Sequence, residues 1–152
     1  MKSLKTYIQE KLVIKKNKAI NYKYFPKTKE ELQDIIEKRI KQEGNEVNLN
    51  DIDTSNITDM SSLFEETNFN GDISNWNVSN VTNMNGMFFD CKKFNQDISS
   101  WDVSKVINMS CMFYNCLSFN KNISSWNVSK VKKYINIFIN CPIEEKYKPE
   151  FK

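Results

Sequence analysis

The feature that most limits what this chain can become is a period of 25 residues. One unit runs from Phe69 to Lys93, the next opens at Phe94 and a third at Phe119. Ile73, Ile98 and Ile123 align, as do Trp76, Trp101 and Trp126, followed by Val78, Val103 and Val128. Phe88, Phe113 and Phe138 recur, and so do Cys91, Cys116 and Cys141. A weaker copy lies ahead at an offset of 24, where Leu49, Ile52, Ile57, Met60 and Phe64 stand for Ile73, Trp76, Val81, Met84 and Phe88. A unit this short cannot bury its own apolar face, so repetition implies stacking, with the Trp, Phe and Met rows forming a continuous core.

Each unit changes its hydrophobic period part-way. Trp76 and Val78 alternate with Asn75 and Asn77, which is the pattern of a strand. Val81, Met84, Met87, Phe88 and Cys91 then follow at spacings of three and four, which is the pattern of a short helix. Ser79 lies between them and suits a helix N-cap. The expected fold is therefore an α/β repeat: a leucine-rich-like, right-handed solenoid of about four strand–helix units with a small parallel sheet. The last unit is eroded, with Tyr134 and Ile137 where the others carry Met, as suits a capping repeat.

Ahead of the repeats, Thr28 and Glu31 make a capping box, and Leu32, Ile35, Ile36 and Ile40 form one apolar stripe before Gly44. Residues 1–47 thus read as an N-terminal helical cap region, 48–142 as the repeats and 143–152 as a C-terminal tail. Leu4, Ile8 and Leu12 suggest a further short amphipathic helix.

Composition narrows the function classes. The chain has no histidine among its 152 residues. That excludes Ser-His-Asp and Cys-His catalysis and most transition-metal sites. The three glycines are isolated, so no phosphate-binding loop is present. Asp72 and Asp97 occupy equivalent positions, but Asn122 replaces them in the third unit, so they read as turn residues, not a catalytic pair. The periodic cysteines read as structural thiols in one core slot, ahead of disulfides or metal ligands. No catalytic residue, cofactor or metal is expected, and the chain is expected not to be an enzyme.

Charge points the same way. Residues 1–47 carry 12 basic and 7 acidic residues, leaving +5, whereas residues 48–142 carry 7 and 9, leaving −2. The repeats lack the concentrated basic face of a nucleic-acid binder, and no nucleic-acid partner is expected. No apolar run reaches the roughly 20 residues of a transmembrane helix. The N-terminus, broken by charges every few residues, lacks the apolar core of a secretory signal.

Strand alternation sends Trp76 and Val78 inward and turns Asn75 and Asn77 outward. The equivalent outward residues are Ser100 and Asp102, then Ser125 and Asn127, with Asp51 and Asp53 ahead. Stacked, they form a polar strip offering donors and acceptors to a glycan or an extended peptide, or else a plain solvated face.

The motif Ile-Ser-x-Trp-(Asn/Asp)-Val-Ser-x-Val, followed by Met-x-x-Met-Phe-x-x-Cys and opened each time by Phe-Asn, resembles the BspA-like leucine-rich repeat, also called the mycoplasma-type surface lipoprotein repeat. The likeness covers residues 48–142. It implies a bacterial surface protein that adheres or binds a host molecule, with another protein or a glycan as partner. The missing leader pulls against a surface location and favours the cytoplasm or a non-classical route of export. An intracellular or phage-associated scaffold built on the same repeats is the alternative.

Overall fold

A computed structural model of the protein describes residues 21–152. The expected helix over Leu4, Ile8 and Leu12 lies outside them. One α-helix is present among the described residues, α1 (Lys29–Glu43), together with a single 3-10 turn at Glu145–Tyr147. The residues expected to start and stop α1 do so. Thr28 Oγ1 accepts from the Glu31 N–H at 3.2 Å, and Glu31 reaches back to the Lys27 N–H at 2.7 Å. Gly44, at φ 88°, closes the other end with its N–H on the Ile40 carbonyl. Leu32 and Ile36 are buried in the same core as the repeats. Arg39 is held by Glu43, by Asp51 at 3.0 Å and by the Asn48 carbonyl at 3.1 Å, which ties the helix to the first unit.

After α1 the chain winds as stacked coils, one per repeat, and here the sequence expectation is overturned. There are no strand–helix units. No strand or sheet forms among the described residues, only isolated parallel bridges: one between Tyr24 and Ile52, and three that join Asp59, Asn83, Asn108 and Lys133 in succession. The segment expected to be helical is the one that carries the inter-coil ladder. The N–H groups of Met84, Gly86, Phe88 and Asp90 donate to carbonyls of the next coil, at Asn108, Ser110, Met112 and Tyr114. The alternate N–H groups of Met87, Phe89 and Cys91 close turns on the carbonyls three residues back. The flanking coils follow the same rule, with Met60, Ser62, Phe64 and Glu66 donating to the second coil and Met109, Cys111, Phe113 and Asn115 to the fourth.

Two backbone features account for the difference. Residues four apart in each coil adopt positive φ: Ser62 and Glu66, Gly86 and Asp90, Cys111 and Asn115, Asn136 and Asn140. A left-handed residue ends a right-handed helix, so the run is a chain of tight turns that share helical side-chain spacing without being helical. The strand pattern fails for a related reason. The side chain of Asn77 accepts from the Ser79 N–H at 3.1 Å, and Asp102 and Asn127 do the same for Ser104 and Ser129. These Asx turns curl the backbone just after each Trp, leaving too short a run to pair. The capping role expected of Ser79 is reversed, since its N–H and hydroxyl donate to Asn77.

The core nonetheless stacks as the repeat requires. Phe64, Phe88, Phe113 and Phe138 form one row with ring centroids 5.5, 5.6 and 5.8 Å apart. Phe69, Phe94 and Phe119 form a second row beside it. The three Trp side chains are buried. Each indole N–H donates to a carbonyl one coil back: Trp76 to Leu49 at 2.9 Å, Trp101 to Ile73 and Trp126 to Ile98, both at 3.2 Å. That satisfies the one polar atom a Trp brings into a core. The thiols of Cys91, Cys116 and Cys141 also donate to carbonyls, of Phe69, Phe88 and Phe119. Burial pushes the Cys91, Cys116 and Cys141 thiols up, Cys116 most clearly. All four cysteines are free.

Candidate functional site

The inward and outward assignments hold residue by residue even though the strand does not. Asn75, Asn77, Ser100, Asp102, Ser125 and Asn127 are all exposed, while Trp76, Val78, Trp101, Val103, Trp126 and Val128 are buried between them. Asp51 and Asp53 are half-buried. Asp51 is engaged by Arg39 and Lys23, so it belongs to the junction with α1 and not to an open strip.

What the strip can offer chemically is narrower than its composition suggests. One side-chain oxygen each of Asn77, Asp102 and Asn127 is taken by the turn that follows. The Ser104 hydroxyl and N–H hold the Asp102 carboxyl below its ordinary value, so it stays ionised. The Ser100 hydroxyl donates to the Ser74 carbonyl at 3.3 Å. The amide NH2 groups of Asn77 and Asn127, the second Asp102 oxygen and the Asn75 and Ser125 side chains are left to face solvent. Beside the strip, Asn80 bridges coils, donating to the Ser55 carbonyl at 2.9 Å and accepting from Lys105 at 2.8 Å. The result is a row of amides and hydroxyls spaced by one coil, with a single carboxylate at Asp102.

Two features escaped sequence reasoning. The first is an asparagine ladder: Asn70 accepts from the Asn95 N–H at 2.9 Å, Asn95 from the Asn120 N–H at 3.0 Å, and Asn120 from the Glu144 N–H at 3.0 Å. Its signal was present in the recurring Phe-Asn pair. The last rung shows that residues 143–147 begin a fifth turn of the stack, and the Ile123 N–H donates to the Tyr147 carbonyl at 2.9 Å. The second is a cavity of about 930 Å³ between the fourth coil and residues 145–152, lined on the coil side by Trp126, Val128, Ile137 and Phe138. No sequence motif marks it, because it arises where the repeat stops.

No helix among the described residues is long and apolar enough to cross a membrane. No curated protein and no solved structure matches the chain. A family model does match, over residues 31–148, a stretch that takes in most of α1, every coil and the start of the fifth turn. The chain belongs to that family, described as Mycoplasma protein of unknown function, DUF285.

Proposed function

We propose that the chain is a non-enzymatic binding module of the BspA-like repeat kind, acting at a bacterial surface and engaging a protein or glycan through the polar face of its coils. The observation that carries this reading is the row Asn75, Asn77, Ser100, Asp102, Ser125 and Asn127, exposed throughout and repeated once per coil. Its backbone is held by Asx turns that also order the Asn77, Asp102 and Asn127 side chains, so a ligand would lose less conformational entropy in fixing those three. The free groups are amides, hydroxyls and one carboxylate oxygen, which suit polar ligands with alternating donors and acceptors. A short row gives modest affinity unless several copies act together.

The test uses the positions that do not hold turns. Replacing Asn75, Ser100 and Ser125 together by Lys leaves the Asn77, Asp102 and Asn127 acceptors in place. Against a glycan panel and a panel of extended peptides, the parent chain should retain a subset that the triple variant releases, with the two melting alike. Equal retention by both chains removes the polar face as the site. Protease accessibility on intact cells tests the surface location, and retention in the cytosol favours a scaffold role.

A further inference from the structure

The two ends of the stack are finished differently. At the N-terminal end α1 lays Leu32 and Ile36 over the first coil. At the C-terminal end residues 143–147 add only the start of a fifth turn, through the Glu144 N–H on Asn120 and the Ile123 N–H on Tyr147, and the alternating ladder stops at the fourth coil. Each coil donates from alternate N–H groups to the next, and the positions equivalent to Met109, Cys111, Phe113 and Asn115 are Tyr134, Asn136, Phe138 and Asn140. Their N–H groups have no acceptor among the described residues. Ile135 is 71% exposed beside them and Ile139 45%, the same coil that carries the open row.

A second series stops at the same place. The carbonyls of Ile73 and Ile98 each accept twice, from the N–H of the Trp three residues on and from the indole of the next coil. Ile123 is the next member. Its carbonyl accepts from the Trp126 N–H and, among the described residues, from no indole. The cavity beside Trp126 lies where a further Trp would sit, and at about 930 Å³ it exceeds the volume of one indole several-fold. Its inner wall at Val128 and Ile137 is apolar, its outer wall is formed by Phe151 and by charged residues such as Lys146, Lys148 and Glu150, and Ser129 stands exposed at the rim.

We propose that this end is a docking site for another polypeptide carrying a tryptophan-bearing coil of the same repeat kind, its indole entering the cavity and donating to the Ile123 carbonyl. The two series specify the occupant together. The open N–H groups belong to a run of tight turns, so their spacing matches carbonyls presented by a coil and not those of a fully extended strand. The open Ile123 carbonyl and the apolar inner wall of the cavity call for an aromatic ring with an N–H. The N-terminal end of a second copy is a poor occupant, because α1 covers it. The cavity borders the polar face at Asn127 on the fourth coil, so changes of that face confined to the second and third coils keep its test independent of the reading given above.

The probe is a dye-labelled peptide of residues 98–115, which carries Trp101 and the carbonyls of Asn108, Ser110, Met112 and Tyr114 that serve this role inside the stack. Its anisotropy is followed against the full chain under reducing conditions. Saturable binding is expected. It should weaken at least tenfold when the peptide carries Trp101→Ala, and by a similar factor when the chain carries Ser129→Arg, which crowds the cavity from an exposed position. A double variant of the polar face, Asn75→Lys with Ser100→Lys, which changes only the second and third coils, should bind the peptide as the parent does. No binding, equal binding by the Trp101→Ala peptide, indifference to Ser129→Arg, or loss with the polar-face variant would each overturn the proposal.

Discussion

The second and third coils and the fourth coil are built from nearly the same sequence yet stand in different surroundings. Trp101 has a coil on either side; its ring lies 6.5 Å from Phe88 and its indole donates to Ile73. Trp126 makes the equivalent bond to Ile98, but its other side faces the cavity under residues 145–152. The difference teaches that a residue's worth in a stack is set by its neighbours along the stack and less by its own type.

The largest test of that statement compares Trp101→Ala with Trp126→Ala. Truncating Trp101 leaves a void between two coils and takes away one of the two donors to the Ile73 carbonyl, and should cost about 3–5 kcal/mol. The same change at Trp126 opens onto existing space and should cost about half as much. Denaturant unfolding of both variants measures the gap, and equal losses would mean that the cavity closes in solution.

Gly71 sharpens the contrast from the other end of the stack. A Cβ there would come within 1.9 Å of the Val47 carbonyl oxygen, so the backbone linking α1 to the first coil passes too close for any side chain. The equivalent positions in the next two coils, Gln96 and Lys121, carry long side chains. Gly71→Ala should destabilise by about 2 kcal/mol through forced backbone movement, seen as a lower urea midpoint. A smaller loss of about 1 kcal/mol is expected for Thr28→Ala, which removes the α1 N-cap. It should be read in the helical circular dichroism signal before the tryptophan fluorescence if the cap frays ahead of the coils.

The smallest effect separates coils that differ only in Asp against Asn. Asp102 and Asp97 are held below their ordinary values by hydrogen bonds from Ser104 and Ser99. Burial pushes Asp72 up, but the bonds from Ser74 and Asn50 outweigh it and hold it low as well. A carboxyl with a lowered folded pKa adds stability that is present above its unfolded value near 4 and is lost as pH falls through the folded value. Stability should therefore decline below about pH 4. Asp102→Asn supplies the residue found at Asn77 and Asn127 and should make that decline shallower without changing stability at neutral pH. An unchanged acid profile would mean that the Ser104 bonds do not matter in solution.

Much of this was legible in the residues. The capping box, the stop at Gly44, the inward Trp and Val positions and the outward polar ones all follow from local chemistry that tertiary structure had no reason to override. The conformation of the coil did not. Apolar residues at Val81, Met84, Met87, Phe88 and Cys91 satisfy a helix and a series of turns equally well, because both bring every third or fourth side chain to one side. The discriminating signal was a second period laid over the first. Gly86, Asp90, Asn115, Asn136 and Asn140 are residue types that tolerate positive φ, and they fall four apart within a coil. Ser62, Glu66 and Cys111 adopt the same conformation without being such types, which weakens the pattern in the coils where they occur. The cavity was not legible at all, since it is defined by which neighbour is absent and not by which residues are present.

The alternating ladder has an electrostatic consequence. Three sets of four backbone N–H groups, from Met60 to Asn115, point toward the C-terminal end of the stack, and fewer at each junction, such as those of Ile107 and Asn108 onto Thr82, point back. Peptide dipoles aligned in this way add, as they do along a helix, although here the axis runs across the chain direction. The stack therefore carries partial negative charge at the end covered by α1, where Lys29 reaches Ser61 at 2.8 Å, and partial positive charge at Tyr134, Asn136, Phe138 and Asn140. The effect is carried by the unmet N–H groups themselves, so the open end draws carbonyl oxygens and anions toward it whatever the number of coils behind it.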